Sequence, residues 1–318
     1  MSEFNKRSTS RAKILLLCAC ALLLSCAGDP ARSMPAHLTS GAEQIKKGNA
    51  FYQKGCYRTA QEHFYRAHDL YSASDQPGGV AMSLNNIGSV FRASGDAQSA
   101  LLFFDEAVSI YTDIGDRAGL RQALSNKAAA LIDKGDLDEA EALIEKASGI
   151  YPDENRKPFI PLLRNKGVLL TKQKKYWEAE EVLRRALVNS NPDNLPERAT
   201  LHFALGNLML ETGRAKESIE HFQAALSADR ISGFYRGMAD DLSRLGQVCF
   251  QSGDYRAAAG YWKRSARIYY LVGLKKEAEQ TMDQLRTAAQ KAGVDTDVVE
   301  HFARRWEEGK KLENPCEE

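Results

Sequence analysis

Residues 48–67, GNAFYQKGCYRTAQEHFYRA, decide the fold because their pattern returns five more times along the chain. The stretch begins with a small residue, Gly48, and a second glycine, Gly55, follows seven residues later. Ala60, Phe64 and Ala67 come at twelve, sixteen and nineteen residues after Gly48. Apolar residues three and four apart share one face of a helix, and glycine readily takes the left-handed conformation that ends a helix. The stretch therefore predicts a helix, a tight turn and a second helix.

The same positions recur at intervals of 39 or 40 residues and define five further units. The small residue returns as Gly88, Ala128, Gly167, Gly206 and Gly246, and the turn residue as Gly95, Gly135, Lys174, Gly213 and Gly253. The bulky apolar residue returns as Phe104, Ile144, Leu183, Phe222 and Trp262. A single helical hairpin cannot bury its apolar face, so such units must stack on one another. We expect an all-α solenoid in which each small residue lets the two helices of a unit approach closely.

This pattern resembles the tetratricopeptide repeat (TPR), which has a small residue in its first helix, a glycine at the turn and two alanines in its second helix. The resemblance covers residues 41–271 and implies a right-handed superhelix of six repeats. The usual period is about 34 residues, and the longer period here is similar to the TPR subtype of kinesin light chains. Ser40, with Glu43 three residues later, predicts a capping box that begins the first helix.

The C-terminal segment predicts a cap for the solenoid. Residues 272–312 predict two further helices, the last with Val299, Phe302 and Trp306 on one stripe. A cap of this kind covers the apolar face of the last repeat. We expect residues 313–318 to form a frayed tail.

Residues 1–25 have the features of a secretory signal peptide. A basic head is followed by an uncharged apolar run, residues 14–24. This run is shorter than the roughly 20 apolar residues that span a membrane as a helix. The segment that follows, residues 26–40, contains two prolines and several small residues and predicts a flexible tether.

The end of this segment, Leu23-Leu24-Ser25-Cys26, resembles a bacterial lipobox. The resemblance implies cleavage before Cys26, a diacylglyceryl thioether on its sulfur and an acylated amine, so that the mature chain is held in the membrane by lipid. Ala27 after the cysteine resembles the signal for sorting to the outer membrane, with the chain on its periplasmic face. The alternative is an ordinary signal peptide with a chance cysteine.

Composition and motifs argue against several classes of function. Lys plus Arg number 43 and Asp plus Glu number 42, so the chain lacks the basic excess of a nucleic-acid binder. The sequence has no glycine-rich phosphate loop and no His-Glu-x-x-His motif. His63 and His68 diverge by about 140° on one helix, and His202 and His221 fall at packing positions. We expect no enzymatic activity, no cofactor, no metal site and no small-molecule substrate.

The cysteines beyond the lipobox differ in their expected environments. Cys249 falls on a core face and Cys56 in the turn of the first unit. Helices stack about 8–10 Å apart, so these two cysteines, five units apart, are too distant for a disulfide. Cys316 lies in the tail, where it is either a free thiol or the partner of another chain.

The candidate binding surface is the concave wall, which in TPR proteins is lined by first helices. The corresponding positions here hold a polar set: Asn49, Asn86, Arg92, Asn126, Arg164, Asn165, Lys172, Asn207, Arg244 and Gln247. Amide side chains both donate and accept hydrogen bonds, so they can bind the backbone of an extended peptide. The alternative is a solvated helix face with no partner. The clamp with which some TPR proteins hold chaperone tails is matched only at Asn49 and Asn86.

These features predict a lipid-anchored scaffold or adaptor that binds a protein or peptide segment in its groove. By analogy with other lipid-anchored TPR proteins, we expect it to assist the assembly of an envelope complex. Two alternatives remain open at this stage: a cytoplasmic regulatory TPR module, and a structural spacer without a peptide site.

Overall fold

The computed structural model describes residues 36–151, 157–307 and 315–316. These residues contain fourteen helices and no strands. The helices are α1 (Ala36–Lys54), α2 (Tyr57–Ala73), α3 (Pro77–Ala93), α4 (Ala97–Asp113), α5 (Arg117–Lys134), α6 (Leu137–Gly149), α7 (Ile160–Lys172), α8 (Tyr176–Asn189), α9 (Leu195–Glu211), α10 (Ala215–Ser232), α11 (Tyr235–Gln251), α12 (Tyr255–Leu271), α13 (Lys275–Ala292) and α14 (Asp297–Glu307). Successive helices pair as hairpins, and the hairpins stack along the chain. The predicted all-α solenoid is therefore confirmed.

Each hairpin is held together by the small residue and the bulky residue that the repeat places opposite each other. A Cβ atom added to Gly206 would lie 2.7 Å from Phe222, and one added to Gly48 would lie 2.4 Å from Phe64. Phe64, Phe104 and Phe222 are almost completely buried. Because no side chain stands between the helices at these points, the bulky residue packs directly against the opposite backbone.

The turn residue of each unit takes the left-handed conformation that the pattern predicts. The φ angles of Gly55, Gly95, Gly135, Gly213 and Gly253 are 83°, 82°, 97°, 73° and 82°. Lys174 occupies the same position in the fourth unit with a φ of 62°. This conformation is costly for a residue with a Cβ atom, so the turn geometry is imposed by the packing of the two helices.

The two ends of the described chain differ from the predictions. The first helix begins at Ala36, so the prediction of a capping box at Ser40 is wrong and residues 36–39 are helical rather than part of a tether. At the other end, α13 and α14 form the expected cap, in which Val299 packs with Leu285 and Trp262. The side chains of Phe302 and Trp306, like Cys26 and the rest of residues 1–35, lie outside the described residues.

Cys316 is bonded to Cys56, so the prediction of a free thiol or an intermolecular partner is wrong. The two residues are 260 positions apart in sequence. The hydroxyl of Thr59 also donates to the backbone carbonyl of Cys316, at 2.9 Å. Residue 316 is therefore joined to the first unit and is not part of a frayed tail.

The sixth unit also meets the beginning of the solenoid. Arg236, in α11, donates from Nη1 to the backbone carbonyl of Ala93 at 3.0 Å, and its guanidinium lies 6.0 Å from the ring centre of Tyr57. Leu274, which precedes α13, packs against the core of the first unit. The units thus complete a turn that brings the sixth beside the first and second. Among the described residues, no helix is long and apolar enough to cross a membrane.

Candidate functional site

The first helices of all six units enclose two adjoining cavities of about 490 and 720 Å³. The two share seven lining residues, so we treat them as one space, the central cavity. The shared residues are Arg92, Asp133, Arg164, Thr200, Phe203, Phe234 and Asp240. Six of them come from α3, α5, α7, α9 and α11, and Phe234 immediately precedes α11. The cavity therefore exists because the solenoid turns back on itself.

Eight of the ten polar residues selected from the sequence line the central cavity. They are Asn49, Asn86, Arg92, Asn126, Arg164, Lys172, Asn207 and Arg244. Two do not line it. Asn165 is buried between helices, where Nδ2 donates to the carbonyl and the hydroxyl of Ser125 at 2.8 and 3.0 Å. Gln247 accepts a hydrogen bond from Arg244 at 2.7 Å and lies beside the cavity.

The expectation that Asn165 faces a ligand is therefore wrong, and other amides also bond within the protein. Asn126 donates to Asn85 across neighbouring first helices at 3.0 Å, and Asn207 donates to the carbonyl of Phe203 in its own helix at 3.0 Å. Some of the recurring asparagines therefore form hydrogen bonds that hold adjacent first helices in register. Asn49 and Asn86 differ, because their side chains make no hydrogen bond to other described residues.

One wall of the cavity carries positive charge. Arg92 pairs with Asp133, with 2.7 Å between Nε and Oδ2. Arg164 donates to the side-chain oxygen of Asn165 at 3.0 Å. Burial, together with the nearby charge of Arg92, lowers the pKa of Arg164 to about 10. Lys172 is exposed at the end of α7. This wall can therefore bind acidic or carbonyl groups of a ligand.

Aromatic side chains in the cavity were missed by the sequence reasoning. Tyr52 and Phe203 lie on first helices, and Phe234 immediately precedes α11. Phe203 falls at one of the concave positions, but only polar residues were selected there. These rings add apolar surface between the amides and so allow the cavity to bind side chains as well as backbone.

A second wall of the cavity carries carboxylates that the sequence reasoning also missed. Asp229, at the end of α10, and Asp241, in α11, line the cavity beside Asp240. Burial, followed by the charge of Asp240, raises the pKa of Asp229 to about 7. Burial, followed by the charges of Asp229 and Asp240, raises the pKa of Asp241 to about 9. In the sequence, Asp240 and Asp241 form an adjacent pair on a helix, which is the pattern of ordinary solvated charge, and no pattern marks Asp229.

The described residues contain no group of three or more His, Cys, Asp and Glu side chains placed to hold a metal ion. His202 and His221 are adjacent, with 3.0 Å between their Nδ1 atoms. Burial lowers the pKa of both, that of His202 to about 4, so the pair is neutral at pH 7. A neutral, half-buried pair of this kind contributes to helix packing.

Comparison with known families agrees with this architecture. A tetratricopeptide repeat family model matches residues 43–113 and 197–270, and a second tetratricopeptide repeat model matches residues 122–154. Together these matches cover more than half of the chain. The chain belongs to the tetratricopeptide repeat family. The comparison with curated protein sequences gives no match.

Solved structures with the same fold include two Rap proteins. A Rap protein complexed with competence and sporulation factor superposes with a TM-score of 0.58 at 13% identity, over 81% of this chain and 77% of that chain. The Rap conjugation gene regulator of plasmid pLS20, in complex with the Phr* peptide, superposes with a TM-score of 0.56 at 17% identity, over 91% of this chain and 82% of that chain. At these identities the likeness concerns the fold alone.

Proposed function

We propose that this protein is a lipid-anchored scaffold that binds a segment of a partner protein in its central cavity. The observation that carries the proposal is the cavity itself, which six first helices enclose and which presents the unused amides of Asn49 and Asn86. An extended backbone offers the donors and acceptors that these amides can satisfy. The Rap protein of plasmid pLS20, whose fold is similar, was solved with a peptide, which is consistent with an occupant of this kind.

The proposed location is the periplasmic face of the outer membrane, with the chain held through lipid on Cys26. Two or more acyl chains anchor a protein stably, whereas one does so only marginally. The disulfide between Cys56 and Cys316 supports this location, because disulfides persist in the periplasm and are rare in the bacterial cytoplasm. It also argues against the alternative of a cytoplasmic regulatory module. We further propose that the bound partner belongs to an envelope complex whose assembly the scaffold assists.

Mass spectrometry of the protein purified from its native membrane tests the anchor. We expect a mature chain that begins at a lipid-modified Cys26. A chain that retains Met1 would contradict the lipid-anchor proposal.

Photo-crosslinking from inside the cavity tests the binding site. A photoreactive phenylalanine analogue replaces Gln53, which is exposed and lines the cavity. The matched control carries the same analogue at Trp177, which is 77% exposed and does not line it. We expect a defined crosslinked protein from position 53 that is absent from position 177.

Substitution of the side-chain amides of Asn49 and Asn86 tests whether they contact the bound segment. Alanine at Asn49 and Asn86 together should reduce crosslinking from position 53, while alanine at the exposed Asn189 should leave it unchanged. Equal crosslinking from positions 53 and 177 would favour a structural spacer without a peptide site. Equal crosslinking from position 53 in the Asn49 and Asn86 double variant and in the Asn189 control would do the same.

A further inference from the structure

Three carboxylates meet on one wall of the central cavity, where α10 ends and α11 begins. We call Asp229, Asp240 and Asp241 the acid pocket. All three line the cavity of about 490 Å³, together with Phe234 and Gly237. Gly237 is required for this arrangement, because a Cβ atom there would lie 1.8 Å from Oδ2 of Asp229.

The three carboxylates differ in their partners. Asp240 accepts hydrogen bonds from Nε of Arg236, at 2.9 Å to Oδ2, and from the hydroxyl of Tyr269. Asp229 and Asp241 are 4% and 1% exposed, and one oxygen of each, Oδ1 of Asp229 and Oδ2 of Asp241, has no hydrogen-bond partner among the described residues. Buried carboxylates are normally paired or hydrogen-bonded, because leaving one unsatisfied is unfavourable.

The arginines that line the cavity beside the acid pocket pair with Asp240 or with other residues, and not with Asp229 or Asp241. Arg236 is paired with Asp240 and, at 3.4 Å, with Glu277. Arg244 lines the same cavity but donates to Gln247. Neither arginine forms an ion pair with Asp229 or Asp241. The protein therefore places two acidic groups beside a cavity without supplying the counter-charge.

We propose that the acid pocket binds a cationic group, a guanidinium or an ammonium, of the segment that occupies the central cavity. This inference rests on the proposed function. A guanidinium carries five N–H donors and can bond two carboxylates at once, and an ammonium carries three donors. Such a group would satisfy the unpartnered oxygens of Asp229 and Asp241 and offset their mutual repulsion. The source of the cation is a Lys or Arg side chain or a free amino terminus.

Peptide pools provide a test that separates this proposal from the proposed function. Fluorescent octapeptide pools, acetylated at the N-terminus and amidated at the C-terminus, carry Arg, Lys, norleucine or Glu at one fixed position and random residues elsewhere. A fifth pool has norleucine at the fixed position and a free N-terminus. Binding to the purified full chain is measured by fluorescence anisotropy at pH 7.5. Norleucine has nearly the shape of Lys without the charge, so it reports the affinity of the cavity alone.

We expect the Arg or Lys pool, or the pool with the free N-terminus, to bind about tenfold more tightly than the acetylated norleucine pool. Asp229→Asn and Asp241→Asn should abolish this preference while leaving the affinity for the norleucine pool unchanged. Asp138→Asn, on an exposed residue outside the cavity, should retain the preference. Retained norleucine affinity in the two pocket variants also shows that they are folded.

Two results would overturn the proposal in different ways. If the norleucine pool binds as tightly as every cationic pool, the acid pocket does not recognise a cation, and the two carboxyls share a proton instead; peptide binding by the cavity would stand. If no pool binds, both this proposal and the proposed function are contradicted.

Discussion

At the scale of single residues, the environment of Asp241 differs from that of an ordinary surface acid. The residue is buried beside Asp229 and Asp240, and one of its oxygens has no partner. Its pKa is raised to about 9, whereas an aspartate in an unfolded chain has a pKa of about 3.9. Without a bound cation, the folded state therefore holds a proton that the unfolded state releases.

This difference predicts how stability depends on pH. A raised pKa in the folded state stabilises the fold at low pH, and this contribution is lost as the pH rises from about 4 towards 9. Asp241→Asn removes the ionisation while keeping the shape of the side chain. We expect the stability of the variant, relative to the original chain, to increase by several kcal/mol between pH 5 and pH 9, since each pKa unit corresponds to about 1.4 kcal/mol. Denaturant titration at both pH values measures this difference.

The interpretation of this test depends on the charges near Asp241 and on a control variant at the surface. Arg236 and Arg244 face the same region but keep their charge throughout this range. Asp138→Asn, on an exposed residue, should change stability equally at both pH values. A loss of stability in Asp241→Asn at pH 9 would mean that the ionised carboxylate has a partner within the protein.

At the scale of helices, the sequence predicted the packing inside each unit but not the bonds between units. The contact of Gly206 with Phe222 follows from two positions sixteen residues apart, because both belong to one hairpin whose geometry the turn fixes. The bond from Asn165 to Ser125 joins different units, and its register depends on how the units are rotated against each other. That rotation is not encoded in any single repeat, so Asn165 was assigned to the wrong surface.

A pair of glycine substitutions tests the packing inside a unit. Gly206→Ala places a Cβ atom 2.7 Å from Phe222 and should destabilise the protein by about 1–3 kcal/mol through overpacking. Gly260→Ala, in the interior of α12, meets nothing within 4 Å and should stabilise it by up to about 1 kcal/mol. Thermal unfolding followed by circular dichroism compares the two. If both substitutions change the stability equally, close contact between the helices does not explain why residue 206 is glycine.

At the scale of the whole molecule, the proposed function depends on the return of the sixth unit to the first. The central cavity exists only because α11 lies beside the first two units, where Arg236 bonds to Ala93. The sequence predicted a groove but not its closure, because closure results from small rotations accumulated over six units. For the same reason, Cys56 and Cys316 were not recognised as partners, although both cysteines were noted.

The disulfide should stabilise this closure. Reduction, or Cys316→Ser, is expected to lower the free energy of unfolding by about 2–5 kcal/mol, since the bond joins the two ends of the repeat array. Urea denaturation with and without reductant measures the effect. Reductant should have no further effect on Cys316→Ser, and an unchanged midpoint for the reduced original chain would show that closure does not depend on the bond.

The measurement that tests the closed superhelix most directly is peptide mapping of the native protein without reduction. After free thiols are blocked and the protein is digested with trypsin, mass spectrometry identifies the cysteine-containing peptides. The account predicts that residues 55–58, with Cys56, are joined to residues 312–318, with Cys316. Recovery of both peptides as blocked thiols, or of Cys316 joined to another chain, would contradict it.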